Sequence, residues 1–268
     1  MDLKVTTIQA DLLWESVSEN LSMFAEKIAS IEGETDVIVL PEMFNTGFSM
    51  DSEKLAESMD GKTVLWMQTQ AKKSDSVIVG SLIVKICSLS GAEEKTHFYN
   101  RLVWAQPDGS LFSYDKRHLF RMAGEHNHFT AGTERLIIEY KGWRICPLVC
   151  YDLRFPVWAR NSSKKEYDVL IYIANWPAAR KAPWSKLLEA RAIENQCYVV
   201  GVNRVGVDGT EKQYSGNSVV INPKGEAISN IPENENCVTT TNLSLEELNA
   251  FRKAFPVGLD GDDFEVKM

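Results

Sequence analysis

Three apolar stretches of this chain end on a residue that can do chemistry. DVIVL at 36–40 runs into Pro41-Glu42, ICPLV at 145–149 into Cys150, and DVLIYIA at 168–174 into Asn175-Trp176. Short continuous apolar runs mark buried strands, and a residue just past such a strand is held by a rigid sheet while it faces a cleft. A thiol in that place can attack a carbonyl or nitrile carbon, provided that a base takes its proton and donors hold the oxyanion that forms. The chain has only four histidines, His97, His118, His126 and His128, with few in suggestive places, and a carboxylate and a cation close by could do the same work. Glu42 and Lys116 are the candidates. Singly, each residue has a plainer explanation: Cys150 as a small buried apolar side chain, Glu42 as a cap or surface ion-pair partner, Lys116 as a solvated charge beside Arg117. Context favours Cys150 over Cys87, Cys146 and Cys197, because in CYDLRFP the strand gives way to polar residues and a helix start, where backbone N–H groups can face the same point as the thiol.

The elements that must position these residues follow from periodicity. Residues 2–9 read as a strand, and 16–32 as a helix through Val17, Leu21, Phe24, Ala25, Ile28 and Ile31. A second helix spans 63–74 on Val64, Leu65, Met67 and Ala71, and strands at 76–86 and 97–105 are expected to pair antiparallel, the latter closed by Pro107-Asp108-Gly109. From 115 to 133 periodicity is lost, and an aperiodic loop of that length inside a compact domain is usually functional. Strands follow at 134–140 and 143–149 around a Lys141-Gly142 turn, then a helix opened by Pro156. The helix at 183–196 presents Trp184, Leu187, Leu188 and Ile193; strands are expected at 197–204, 214–221 and 226–231, with a turn at Asn222–Gly225, and a last helix at 244–253. The tail carries Asp260, Asp262 and Asp263. With no linker and no repeat, the pattern describes one domain over 1–268, with sheets stacked between helical layers.

Composition narrows the function. The 268 residues are 44% hydrophobic with 16 glycines and 9 prolines, which excludes a disordered or collagen-like chain. Twenty-nine basic against 37 acidic residues, a net charge of −8, argue against a nucleic-acid partner that needs a broad basic face. No apolar run reaches the roughly 18 residues of a membrane span, and Met1–Ala10 lacks the basic-then-apolar signal pattern, so a cytoplasmic protein is expected. Five cysteines without a CxxC pair argue against a disulfide framework or a zinc site, and no metal or cofactor is expected.

PEMFNTGF at 41–48, YDKRHLF at 114–120 and VCYDLRFP at 149–156, in that order, resemble the motifs of the nitrilase superfamily of carbon–nitrogen hydrolases. The resemblance covers essentially the whole chain. It implies a four-layer α-β-β-α sandwich and a Glu-Lys-Cys triad, carried here by Glu42, Lys116 and Cys150. A further family glutamate, in the loop after the lysine, falls on Glu125, where it would orient Lys116 and the substrate amide. NWPAAR at 175–180, ARAIENQCYVVGVNRVG at 190–206 and FPVGLDGDDF at 255–264 are similar to the bacterial omega-amidase branch, with Gly258 where a larger apolar residue is expected. Members of that branch hydrolyse the terminal amide of 2-oxoglutaramate and 2-oxosuccinamate through a Cys thioester, without a cofactor. Family members are commonly homodimers or larger.

A 2-oxo acid also needs its carboxylate held, by a cation or several donors, with aromatics around its short chain. Arg117, Arg154 and Arg180 are the cations within the motif stretches; Arg154 is expected to be structural, because its RFP motif recurs across the superfamily. Arg180, with Phe44, Phe120 and Trp176, is expected to bind substrate, and the backbone N–H of Tyr151 to share the oxyanion with Lys116. The same triad would serve a nitrile, an N-carbamoyl amine or an N-acyl compound, and a non-catalytic member of the fold is the alternative outside enzymology. A thiol-redox protein lacks a resolving cysteine: Cys146 is four residues before Cys150, about 13 Å away at strand rise.

Overall fold

A computed structural model describes residues 2–90, 93–162, 166–262 and 264–266; Asp263 of the acidic tail lies outside the described residues. The chain runs β1 (Asp2–Gln9), α1 (Val17–Ala29), β2 (Val37–Val39), α2 (Ser52–Leu55), α3 (Lys62–Ser74), β3 (Val77–Ser90), β4 (Glu93–Ala105), β5 (Leu111–Asp115), β6 (Ile138–Tyr140), β7 (Trp143–Val149), α4 (Pro156–Ala159), β8 (Val169–Ala174), α5 (Lys181–Asn195), β9 (Tyr198–Asn203), β10 (Val205–Val207), β11 (Gln213–Ser215), β12 (Val219–Ile221), β13 (Cys237–Ser244) and α6 (Leu245–Ala254).

Two sheets form the middle layers: six strands in the order β13-β1-β2-β3-β4-β5, and five in the order β12-β9-β8-β7-β6. Their facing sides interlock through alternation along each strand. Val37 and Val39, with Val77 and Val79, point into the core between the sheets, while Ile38, Leu40 and Ile78 point outward to Leu21, Phe24 and Ile28 of α1 and Val64, Met67 and Ala71 of α3. Both helices place apolar residues three and four apart on that one face. On the outer side of the second sheet, α5 buries Trp184, Leu188 and Ala192. Helices, sheet, sheet, helix: this is the four-layer α-β-β-α sandwich that the motifs implied.

Both sheets are parallel at their centres, β1-β2-β3 in one and β7-β8-β9 in the other, so the carboxyl ends of β2, β7 and β8 open toward the site. Lys141 (φ 48°) and Gly142 (φ 79°) make the expected two-residue turn between β6 and β7, with both residues left-handed as such hairpins require.

Several boundaries differ from the sequence expectation. Residues 134–137 are not a strand, and only 138–140 pairs with β7. The stretch 214–221 is two strands in two different sheets, β11 against β10 and β12 against β9. The strand expected at 226–231 reduces to one bridge between Ile221 and Ala227. Conversely, β5 and β13 were not anticipated: β13 reads CVTTTNLS, polar at most positions, and exists because the whole of β1 pairs with it from Asp2↔Ser244 to Gln9↔Cys237. Its sequence has no buried face strong enough to announce it. Ile193, assigned to the inner face of its helix, is 55% exposed.

Candidate active site

β7 delivers Cys150 through a strained turn. Val149 is extended (φ −122°), and Cys150 then turns to φ 44°, a left-handed conformation that costs a non-glycine residue about 1–3 kcal/mol and persists only where its surroundings hold it. Asp152, two residues on and wholly buried, does so: its Oδ2 accepts from Val149 N (3.1 Å) and from the Tyr114 hydroxyl (2.8 Å). At the end of β2 the residue after Glu42, Met43, is also left-handed (φ 43°), and its N–H donates to Ser81 Oγ at 2.8 Å. That turn points the Glu42 side chain inward.

Glu42 meets Lys116 and Glu125, which come from a distant part of the chain, in the interior. Lys116 Nζ donates to Glu42 Oε1 at 2.9 Å and to both oxygens of Glu125 at 2.9 and 3.0 Å. All three side chains are withdrawn from solvent. Glu42 Oε2 accepts from Asn175 N at 2.8 Å, and its backbone carbonyl accepts from Asn175 Nδ2 at 2.5 Å, so β8 braces the carboxylate from the opposite sheet. Glu125 sits on a 3₁₀ turn, Glu125–Asn127, entered through left-handed Gly124 (φ 74°), and its Oε2 also accepts from Phe120 N at 2.5 Å.

The electrostatics follow from burial and charge. Burial pulls Lys116 down, but Glu125, Glu42 and Cys150 around it more than reverse that and keep the ammonium charged well beyond neutral pH. Burial, with the negative Glu42 beside it, pushes the Cys150 thiol well above the ordinary thiol range, against the opposing pull of Lys116. Glu125 is raised as well, chiefly by burial and by Glu42, with Lys116 acting in the other direction. A resting thiol that holds its proton beside a carboxylate can attack only as that proton is removed, which is general-base chemistry.

Lys116, Cys150 and Asn175 open onto a cavity of about 310 Å³, with Phe48, Phe120, Met122, Tyr151, Arg154, Trp176, Pro177, Arg180, Lys212 and Tyr214 among its walls. Its size fits a small molecule. Phe120, Trp176 and Arg180, expected at the substrate, all line this cavity; the Arg180 guanidinium sits 5.3 Å over the Phe120 ring, and its backbone carbonyl accepts from Trp176 Nε1 at 2.7 Å. Tyr151 is in the first turn of the 3₁₀ helix Cys150–Arg154, where its N–H has no intrahelical acceptor and sits beside the thiol.

Two expectations need correction. Phe44 does not line the cavity: it is wholly buried between the first sheet and its helices, edge-on to Phe24 (5.5 Å) and against Trp66 (5.7 Å), with its ring over Gly80, where even a Cβ would come within 2.7 Å. The left-handed turn at Met43 sends successive side chains to opposite sides, so Glu42 faces the site and Phe44 the core. Arg154, expected to be structural, instead lines the cavity, stacked 5.1 Å over Trp176 and exposed. Arg117 does not reach it; its guanidinium lies 5.6 Å over Trp158 and donates to the Gly132 carbonyl.

Sequence reasoning missed Asn100, Asp152, Lys212 and Tyr214. The last two come from the β10–β11 hairpin, whose pattern gives no hint that it folds over the cavity. Asp152 stood inside a recognised motif, and a lone aspartate two residues past a candidate nucleophile was the available signal. Among the described residues, no group of three or more His, Cys, Asp and Glu side chains could hold a metal ion, and no helix is long and apolar enough to cross a membrane.

Comparison with known proteins shows the family. The family model for carbon-nitrogen hydrolases matches residues 4–253. Omega-amidase YafV of Yersinia enterocolitica is 47% identical over 262 residues, 98% of each chain, and 2-oxoglutaramate amidase of Bacillus subtilis is 32% identical over 96% of each. The crystal structure of XC1258 from Xanthomonas campestris, a CN-hydrolase superfamily protein with an arsenic adduct in its active site, superposes with a TM-score of 0.93 over the whole of both chains at 42% identity. The chain belongs to the carbon-nitrogen hydrolase family of the nitrilase superfamily, on the omega-amidase branch.

Proposed function

We propose that this protein is a thiol-dependent omega-amidase that hydrolyses the terminal amide of 2-oxoglutaramate or 2-oxosuccinamate to the 2-oxo acid and ammonia. The observation that carries the reading is the buried Lys116, bonded to both Glu42 and Glu125 beside a thiol in a left-handed turn. As Cys150 Sγ bonds to the amide carbon, its proton passes to Glu42 and the carbonyl electrons move to oxygen. That oxyanion is received by Lys116 and the Tyr151 N–H. All three Lys116 donors are engaged in the resting site, one by Glu42 and two by Glu125, so the oxyanion takes over one of the paired Glu125 bonds while the other keeps the ammonium in place. Collapse of the intermediate breaks the C–N bond, Glu42 protonates the departing nitrogen, and ammonia leaves a thioester on Cys150. Water deprotonated by Glu42 attacks the thioester carbon, the C–S bond breaks, and Cys150 recovers a proton as the acid departs. Glu125 holds Lys116 and takes no proton itself.

The substrate class is supported by charge. Arg154, Arg180 and Lys212 reach the cavity, and none of them has a carboxylate partner among the described residues, in a protein of net charge −8. Cations left unpaired around an otherwise largely apolar cavity suit an anionic group at the far end of a short amide. Relatives named omega-amidase and 2-oxoglutaramate amidase support the same class. We place the enzyme in the cytosol, as a single catalytic domain working as a homodimer or larger homo-oligomer. Supporting this are cysteines kept as thiols at positions 87, 150, 197 and 237, and exposed Phe255, Leu259 and Phe264 near the C-terminal end.

The deciding experiment is ammonia release from 2-oxoglutaramate and 2-oxosuccinamate, beside a simple nitrile and an N-carbamoyl amine, by the wild type and Cys150→Ala. Fast release from the oxo-acid amides, lost in the variant, is expected. Turnover of only the nitrile or carbamoyl compound discards the substrate class and keeps the nucleophile; full activity in Cys150→Ala discards the nucleophile.

A further inference from the structure

Asn100, on β4, is wholly buried and touches all three charged residues of the site. Its backbone carbonyl accepts from Lys116 N at 3.0 Å, and its Nδ2 donates to Glu42 Oε1 at 2.8 Å and to Glu125 Oε1 at 3.3 Å. Oδ1 has no partner among the described residues. The reversed amide would set that oxygen against two carboxylates, so charge fixes its orientation.

A carboxylate offers about two acceptor positions on each oxygen. On Glu125 all are taken: Oε1 by Lys116 and Asn100, Oε2 by Lys116 and Phe120 N. On Glu42, Lys116 and Asn100 fill Oε1, while Oε2 accepts only from Asn175 N. One acceptor position remains in the pair, and it is on Glu42 Oε2.

We propose that Asn100 is a positioning residue that, with Lys116, occupies Oε1 of Glu42 and so makes Oε2 the atom that carries the proton between Cys150 and the leaving nitrogen. This rests on the reading of Glu42 as the general base. The proton leaves Sγ as the S–C bond forms, resides on Oε2, and is delivered to nitrogen as the C–N bond breaks. A neutral donor suits the place. Two carboxylates already face one ammonium and one thiol there; an acid at 100 would add repulsion, and a base would compete for the proton. The charged and titratable groups around this point are Glu42 after β2, Lys116 after β5, Glu125 on its 3₁₀ turn, Cys150 after β7 and Tyr214 on β11.

The test is the pH dependence of kcat and kcat/KM for Asn100→Ser and Asn100→Asp, with Glu42→Gln and Cys150→Ala as controls. Asn100→Ser is expected to lose about 10- to 100-fold in kcat with KM within a factor of about two, because orientation at the reacting centre is lost and binding is not. With fewer donors on the carboxylate pair, the acid limb of kcat/KM moves to higher pH, and it moves further in Asn100→Asp, where a like charge is added. A merely structural role lowers kcat without moving that limb. Loss of rate with the wild-type pH profile, or wild-type kcat in a folded variant, overturns the assignment of Asn100. Should Asn100→Asp fail to fold, Asn100→Ser carries the same test, since it keeps the site's charge. If Glu42→Gln or Cys150→Ala keeps full activity, the underlying reading fails instead; if both are inactive and the Asn100 variants behave as wild type, only the inference about Asn100 falls.

Discussion

His118 donates its backbone N–H to Asp152 Oδ1 at 3.0 Å, and its ring Nδ1 lies 2.8 Å from the same oxygen, so the turn that carries the thiol is tied to the loop that carries the ammonium. The other Asp152 oxygen accepts from Val149 N and Tyr114 OH, and the Tyr114 oxygen in turn accepts from Trp158 Nε1 and Arg117 N. Asp152→Ala leaves several of these buried donors without an acceptor, at about 1–3 kcal/mol each, so a loss of about 3 kcal/mol or more is expected in urea unfolding. Tyr114→Phe, which removes one hydroxyl, is expected to lose about 1 kcal/mol. Equal stability of wild type and Asp152→Ala would show that the clamp does not hold the turn.

The thiol and the hydrolase are expected to respond in opposite directions to one substitution. Glu42 helps to hold the Cys150 thiol above its ordinary range, and Lys116 opposes it. Glu42→Gln is therefore expected to speed iodoacetamide labelling of Cys150 at pH 7–8 while abolishing ammonia release, because a better thiolate without a base still cannot complete the proton transfers. Lys116→Met is expected to slow labelling and to lose at least about 10²–10³ in turnover, the usual cost of one oxyanion donor. Glu125→Gln is expected to lower turnover more than labelling, and full activity in that variant would exclude its positioning role. Parallel loss of labelling and turnover in Glu42→Gln would mean that it disrupts the site rather than removing a base.

Alkaline stability provides a separate check on the same group. A thiol whose folded pKa is raised above its unfolded value of about 8.5 stabilises the fold relative to an unperturbed thiol only while the unfolded chain is also protonated. As pH rises past that value the unfolded state releases its proton first, and stability falls by up to about 1.4 kcal/mol per pH unit until the folded thiol ionises too. Cys150→Ala lacks this contribution. Between pH 8 and 10 the unfolding free energy of wild type is expected to drop more steeply than that of Cys150→Ala; parallel curves would contradict a buried, protonated thiol.

Substrate charge can be separated from chemistry at the rim of the cavity. Arg154→Ala and Arg180→Ala are expected to raise KM for 2-oxoglutaramate by about tenfold or more, since a hydrogen bond to a charged group contributes about 1.5–3 kcal/mol. Turnover of an uncharged short amide should be little changed. If both amides suffer equally in kcat, these arginines act through Trp176 and Phe120, on which they stack, and not through the substrate.

The apolar runs ahead of Glu42 and Cys150 were enough to single those two out, because a buried strand that stops at a polar residue leaves its mark in local sequence; Lys116 and Glu125, in a stretch without periodicity, were named through the motif resemblance. The layers were legible for the same reason: alternation in β2 and β3 and the three-four spacing in α1 and α3 are local patterns. What the chain did not reveal depends on pairing between distant segments. β13 exists through the register of β1, Asn100 matters because β4 brings its amide to two carboxylates reached from elsewhere, and Lys212 and Tyr214 matter because their hairpin covers the cavity. Phe44 and Arg154 changed sides for a related reason: whether a side chain faces core or cleft is set by the backbone turn beside it and the sheet opposite it. Residue type and local periodicity carry which chemistry is present and which face is apolar; only tertiary packing fixes the hydrogen-bond partners that leave one carboxylate oxygen available to a thiol.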